Sequence, residues 1–95
     1  MAFKSLISNN AKSDIQEAIF WYNDQQDELG KKFLQFVNKK ISDLCITPGI
    51  GSIRYDNVRC TMVKAFPYII HYTVNKQSKQ IIILRVLHAF RKPIW

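Results

Sequence analysis

The alternation of apolar and polar positions splits the chain into a helical first half and a β-rich second half. Ala2 to Ser8 is short and half apolar through Phe3, Leu6 and Ile7, which predicts a modest first strand broken by Asn9-Asn10. Ile15, Ala18, Ile19 and Tyr22 then recur at helical spacing, with Asp14 and Glu17 near the helix start, where the backbone dipole favours acids. Two residues are placed to cap this helix: Asn10, or Ser13 with Gln16 three residues on as a capping box. Phe20 and Trp21 widen the apolar stripe beyond what one packing face requires. The polar run Asp24 to Glu28, with Gly30 close behind, marks a short turn. A second helix follows, carrying Phe33, Phe36, Val37, Ile41 and Leu44 on one side and its lysines elsewhere. Thr47-Pro48-Gly49-Ile50-Gly51 ends the helical half, because proline and two glycines do not continue a helix.

Three strand-length runs come next, Val58 to Phe66, Tyr68 to Val74 and Gln80 to His88, rich in Val, Ile, Tyr and Thr. Pro67 separates the first two and the polar Asn75 to Lys79 joins the last two as a hairpin. The order β-α-α-β-β-β predicts a two-layer α+β domain, a helical hairpin packed on one face of a mainly antiparallel four-stranded sheet. Ile81 to Leu84 is the strongest strand signal and reads as a buried central strand. In the middle strand Tyr68, Ile70, Tyr72 and Val74 share one side, and Ile69, His71 and Thr73 the other. In the last strand strict alternation groups Arg85 with Ile81, Ile83 and Leu87, and His88 with Ile82, Leu84 and Val86. Arg85 and His88 then face opposite ways unless a bulge intervenes near Leu87.

Composition narrows this picture only a little. Ninety-five residues, 47% apolar and 22% charged, describe one globular domain over residues 1–95 rather than a disordered chain. Charge is more informative. The first fifty residues carry six lysines and six acids and sum to zero. The remainder carries Arg54, Arg59, Lys64, Lys76, Lys79, Arg85, Arg91 and Lys92 against Asp56 alone, so the whole net charge of +7 sits there. Such asymmetry suits a nucleic-acid, ribosomal or acidic-protein partner, or else a solvated face that keeps the protein soluble. The opening MAFKSLISNN lacks the long apolar run of a signal peptide and no later segment is long enough to span a bilayer, so a cytoplasmic, reducing setting without membrane contact is expected. Cys45 and Cys60 are then free buried thiols; with no CxxC spacing and no cluster with His71 or His88, neither a metal nor another cofactor is expected.

The signposts in order resemble the RelE/ParE superfamily of toxins from bacterial type II toxin–antitoxin operons. They are AKSDIQEAIFWYNDQ from Ala11, LGKKFLQFV after the turn, the Pro48-Gly49 break, VRCTMVKAFPYIIHYTV, and ILRVLHAFRKPIW at the end. FPY in the meander and RVLH-x-x-R at the end look nearer to the ParE-like, plasmid-stabilisation branch. The resemblance covers essentially the whole chain. It implies a growth-inhibiting toxin held in a hetero-oligomer by a cognate antitoxin, whose segment wraps the toxin and lays a helix or strand on its apolar surface. That gives the surplus Phe20, Trp21 and Trp95 a use as antitoxin-binding residues; the alternative is that they pack inside or beneath the helices.

Two targets follow from the two branches. A RelE-like toxin cleaves messenger RNA on the ribosome, which needs a group to activate the ribose hydroxyl, one to protonate the leaving oxygen, and cations around the phosphate. On that branch Arg85 and His88 are the catalytic candidates, and Arg59 and Lys64 hold phosphates. His71 reads as a strand-face histidine, and Asp56 is the one acid in the basic half, with no carboxylate on a strand to act as base. A ParE-like toxin instead poisons DNA gyrase and turns nothing over, leaving Arg85, Arg91 and Lys92 as contact or structural cations. The sparse catalytic inventory favours this non-enzymatic branch. A third reading is an inactive relic that only binds its antitoxin. Arg85 also has a purely structural reading, as a sheet-face arginine paired with a carboxylate or carbonyl, and His88 as a satisfied histidine at a strand end.

Overall fold

A computed structural model describes residues 2–90. Strand β1 (Lys4–Ile7) leads into α1 (Asn9–Gln25) and α2 (Leu29–Ile46), followed by β2 (Ser52–Tyr55), β3 (Val58–Met62), β4 (Tyr68–Asn75) and β5 (Gln80–His88). The strands form one sheet in the order β1-β5-β4-β3-β2. Only β1 runs parallel to its neighbour β5; the other pairings are antiparallel. The two-layer α+β architecture is therefore as expected, with β5 inside the sheet, but the sheet has five strands rather than four.

The additional strand is β2. Its hairpin to β3 turns on Asp56 and Asn57, both at positive φ (42° and 65°), the backbone state that two-residue hairpins need and that Asp and Asn tolerate. Strand β3 is correspondingly shorter than its apolar run, ending at Met62. Ala65 takes a positive φ of 71° and breaks the ladder. Val63 and Phe66 nevertheless stay buried, because the turn folds their side chains into the core.

That core lies between the helices and one sheet face. Ala11, Ile15, Ala18 and Tyr22 from α1 and Phe33, Val37, Ile41 and Leu44 from α2 meet Ile70, Tyr72, Ile81, Ile83 and Val86. Tyr22, Phe33, Phe66 and Tyr68 form an aromatic cluster with neighbouring ring centroids 5.0–6.1 Å apart, tilted and edge-on as ring quadrupoles prefer.

Neither residue offered as the α1 cap performs that role. Ser8 is the N-cap: its Oγ accepts from the Ala11 N–H (3.0 Å) and donates to the Leu84 carbonyl (2.8 Å). The hydroxyl thus fixes where β1 stops and couples the start of α1 to β5. The helices meet closely at Gly30, whose N–H donates to Asn23 Oδ1 at 2.8 Å. A Cβ there would stand 2.6 Å from the Ile19 carbonyl oxygen and 2.7 Å from Asn23 Oδ1.

Register explains a further departure from simple alternation. His71 pairs with Arg85 but Tyr72 pairs with Ile83, so Leu84 is an extra residue in β5. This bulge shifts the phase of everything after it. Ile81, Ile83 and Val86 are the buried residues of β5, so Val86 shares the helix face with Ile81 and Ile83, and Arg85 does not. Among the described residues no helix is long and apolar enough to cross a membrane.

Gly30→Ala tests the helix contact. Alanine gains about 1 kcal/mol in helix propensity, but its methyl meets a backbone carbonyl, and a net loss of about 1–3 kcal/mol is expected in urea denaturation. Gly49→Ala, with nothing within 4 Å of its Cβ, should stay within about 0.5 kcal/mol of the parent.

Candidate functional site

The candidate residues Arg85 and His88 lie in the C-terminal half of β5, with further polar groups on the two sheet faces beside it. On the edge, Arg85 reaches Asp14 of α1 with both nitrogens, Nε to Oδ2 at 2.8 Å and Nη2 to Oδ1 at 2.9 Å. The same Oδ2 accepts the Val86 backbone N–H at 3.0 Å. β1 ends at Ile7, and the Asp14 carboxylate takes over as hydrogen-bond partner for the continuing edge of β5. A bidentate, charge-assisted pair whose side chains are 27% and 10% exposed is among the stronger polar contacts available to a small domain. Its hydrogen bond to Asp14 holds the Arg85 guanidinium protonated even above the ordinary arginine range. The sequence offered Asp14 only as a helix-start acid; its approach to Arg85 joins residues 71 positions apart and has no local signal.

On the face away from the helices, His71 is buried and its Nδ1 lies 3.2 Å from the Tyr55 hydroxyl and 3.4 Å from Cys60 Sγ. Cys60 and His71 are a cross-strand pair, so this cysteine does have a histidine neighbour, contrary to the reading from sequence spacing. Among the described residues no group of three His, Cys, Asp or Glu side chains is arranged to hold a metal. Cys45 and Cys60 are both free, and both half-buried rather than fully enclosed. Burial pushes the Cys60 thiol and the Tyr55 phenol up. Burial first, and then the Arg85 charge, push the His71 imidazolium down, against a smaller opposing pull from Asp14. This corner is therefore a set of neutral hydrogen-bonding groups at pH 7, with Arg85 as its charge.

His88 stands on the other face, paired with Tyr68 in register and edge-on to its ring at 5.2 Å. Its Nδ1 accepts the Phe90 N–H at 3.1 Å. Arg85 and His88 therefore do not converge, and the bulge at Leu84, lying before both, leaves their opposition intact. Arg59 is half-buried and donates to the Gly51 carbonyl at 2.7 Å, bracing the loop that Tyr72 also holds through Pro48 and Gly51. Lys64 is exposed in the turn after β3. Phe20 and Trp21 project from α1, 64% and 48% exposed, and do not pack beneath the helices. Arg91, Lys92 and Trp95 lie outside the described residues.

Between α1 and the end of β5 an open cavity of about 370 Å³ is bounded by Asp14, Glu17, Trp21, Asp24, Tyr68 and His88, among others.

Two helices packed on a five-stranded, mostly antiparallel sheet form an α+β fold consistent with that of the RelE/ParE toxins. The model of the ParE toxin family of type II toxin–antitoxin systems (parDE) matches residues 6–93. The chain belongs to that family: it is a toxin component of a type II toxin–antitoxin system. Solved structures share the fold. A chromosomal ParDE system from P. aeruginosa matches with a TM-score of 0.79 at 19% identity, over 92% of this chain and 96% of that one. The intact E. coli RelBE complex gives 0.72 at 16% identity, over 95% and 100%. RelBE2 of Mycobacterium tuberculosis gives 0.64 at 16%, over 93% and 99%. At these identities the likeness is one of fold. No curated protein sequence matches the chain.

Two measurements check the site's energetics. Asp14→Ala strands a guanidinium and an edge N–H together, and allowing for the partial exposure of Arg85 it should cost about 2–3 kcal/mol in urea denaturation. For His71 the folded pKa lies below the unfolded one, so the unfolded chain takes up the proton first on acidification. Its contribution is complete above pH 6.5, the ordinary value, and is lost as pH falls below it. His71→Gln should flatten the stability profile between about pH 7 and 5, whereas an unchanged acid slope would exclude this role.

Proposed function

We propose that this toxin acts by binding DNA gyrase rather than by cutting RNA, and that its antitoxin neutralises it within a toxin–antitoxin complex. One observation carries the reading. The strand arginine that a phosphate-cleaving site would call on is bound bidentately by Asp14, while His88 sits across the sheet from it. Arg59, another strand cation, is likewise held, on the Gly51 carbonyl. A general acid and the cations that steady a phosphorane must converge within hydrogen-bond reach of one substrate, and these residues are spread over two faces. Family membership supports an antitoxin partner, as do the toxin–antitoxin complexes among the solved relatives. Exposed Phe20 and Trp21 supply apolar surface for it, and exposed Lys64 remains available for target contact.

Induction of the chain without its antitoxin should arrest bacterial growth, and the purified protein should inhibit gyrase supercoiling or trap cleaved DNA. Unaffected gyrase, together with new 3′ ends in ribosome-bound messages that vanish in Arg85→Ala, would overturn the gyrase reading in favour of a ribosome-dependent ribonuclease. A normal growth curve on induction would point to an inactive relic.

A further inference from the structure

The cavity between α1 and β5 has a chemistry that packing does not call for. Glu17, Trp21 and Asp24 lie at i, i+4 and i+7 on one side of α1, and Asp14 joins them on the wall. In a chain of net charge +7, three carboxylates border this cavity and, among the described residues, no lysine or arginine does. Asp14 is already paired with Arg85, but neither Glu17 nor Asp24 has an ion-pair partner among the described residues. Both stand exposed on the helix surface, facing the groove's opening. Between them stand the half-exposed Trp21, the buried Tyr68 and His88.

Carboxylates beside aromatic faces match one side chain above others. Arginine presents a planar, weakly hydrated guanidinium that stacks on a ring while its N–H groups reach carboxylate oxygens. Lysine, a compact and strongly hydrated charge, uses only part of that arrangement. The wall already shows the geometry from inside, since Asp14 takes the Arg85 guanidinium through two bonds of 2.8 and 2.9 Å. We propose that this groove receives an arginine side chain of the antitoxin segment, stacked against Trp21 and paired with Glu17 and Asp24. The proposal rests on the antitoxin reading above and sharpens it: a partner that is acidic overall, as a +7 toxin favours, presents a cation at this one point.

The peptides Ac-Leu-Arg-Leu-NH2, its lysine analogue and its citrulline analogue, titrated into the full chain, decide the groove's chemistry by NMR at the Trp21 indole N–H. The arginine peptide should move that signal. The citrulline peptide, isosteric and uncharged, should bind about 10- to 100-fold more weakly, and Glu17→Gln with Asp24→Asn should produce a loss of the same order. Equal binding of citrulline, or no movement at Trp21, would overturn the proposal. So would arginine-peptide binding seen only after residues 91–95 are removed, since the occupant would then be the chain's own Arg91. With the product of the adjacent reading frame, one arginine-to-glutamine change in that product should weaken the complex as the toxin double variant does. The two changes combined should add nothing further; additive losses would exclude the pairing. A wild-type toxin that ignores that product altogether overturns the antitoxin reading instead, and the peptide titration still decides the groove.

Discussion

The carboxylate of Asp14 and the hydroxyl of Ser8 hold the edge of β5 where β1 has run out. A parallel edge strand of four residues cannot satisfy a nine-residue neighbour. Beyond Ile83 the unpaired donors and acceptors of β5 must find partners elsewhere or remain exposed to water and to other chains. Ser8 takes the Leu84 carbonyl, and Asp14 takes the Val86 N–H and the Arg85 guanidinium. The bulged residue Leu84 is itself the one Ser8 holds, two residues before the Asp14 contact at Val86. Together they set the position of α1 along the sheet, the phase of the C-terminal half of β5, and hence which side chains meet the core.

The placement of the polar groups at the end of β5 follows from that seam. Because the bulge returns Val86 to the helix face, Arg85 leaves the core side and is held at the edge beside His71, Tyr55 and Cys60. His88 goes the other way and becomes a wall of the α1 groove. The protein thus has two chemically different faces at one strand end. One is a neutral hydrogen-bonding cluster with a clamped arginine, and the other is an aromatic groove bordered by acids. Arg59 is drawn into structure similarly: Tyr72 and Arg59 tie down the Pro48–Gly51 loop, where a Cβ on Gly51 would lie 2.8 Å from the Tyr72 hydroxyl. Arg85 and Arg59 are thus both held, one on the Asp14 carboxylate and one on the Gly51 carbonyl, and this placement supports the proposal of a binding toxin.

The amino-acid pattern by itself determined the helical hairpin, the three-strand meander, nearly all of the core residues on both helices and the family resemblance, because periodicities of 3.6 and 2 record burial locally. The β2 hairpin was within reach too, through Asp56-Asn57 between the short alternating segments Ser52–Tyr55 and Val58–Met62, although without the glycine that usually marks such a turn. The cap at Ser8, the bulge at Leu84, the Asp14–Arg85 pair and the Cys60–His71 neighbourhood were decided only by the tertiary structure. Each depends on where one element stops relative to another far along the chain. Alternation within a strand carries no signal of an inserted residue, and a helix-start aspartate looks the same whether it serves the dipole or reaches across to an arginine 71 residues away.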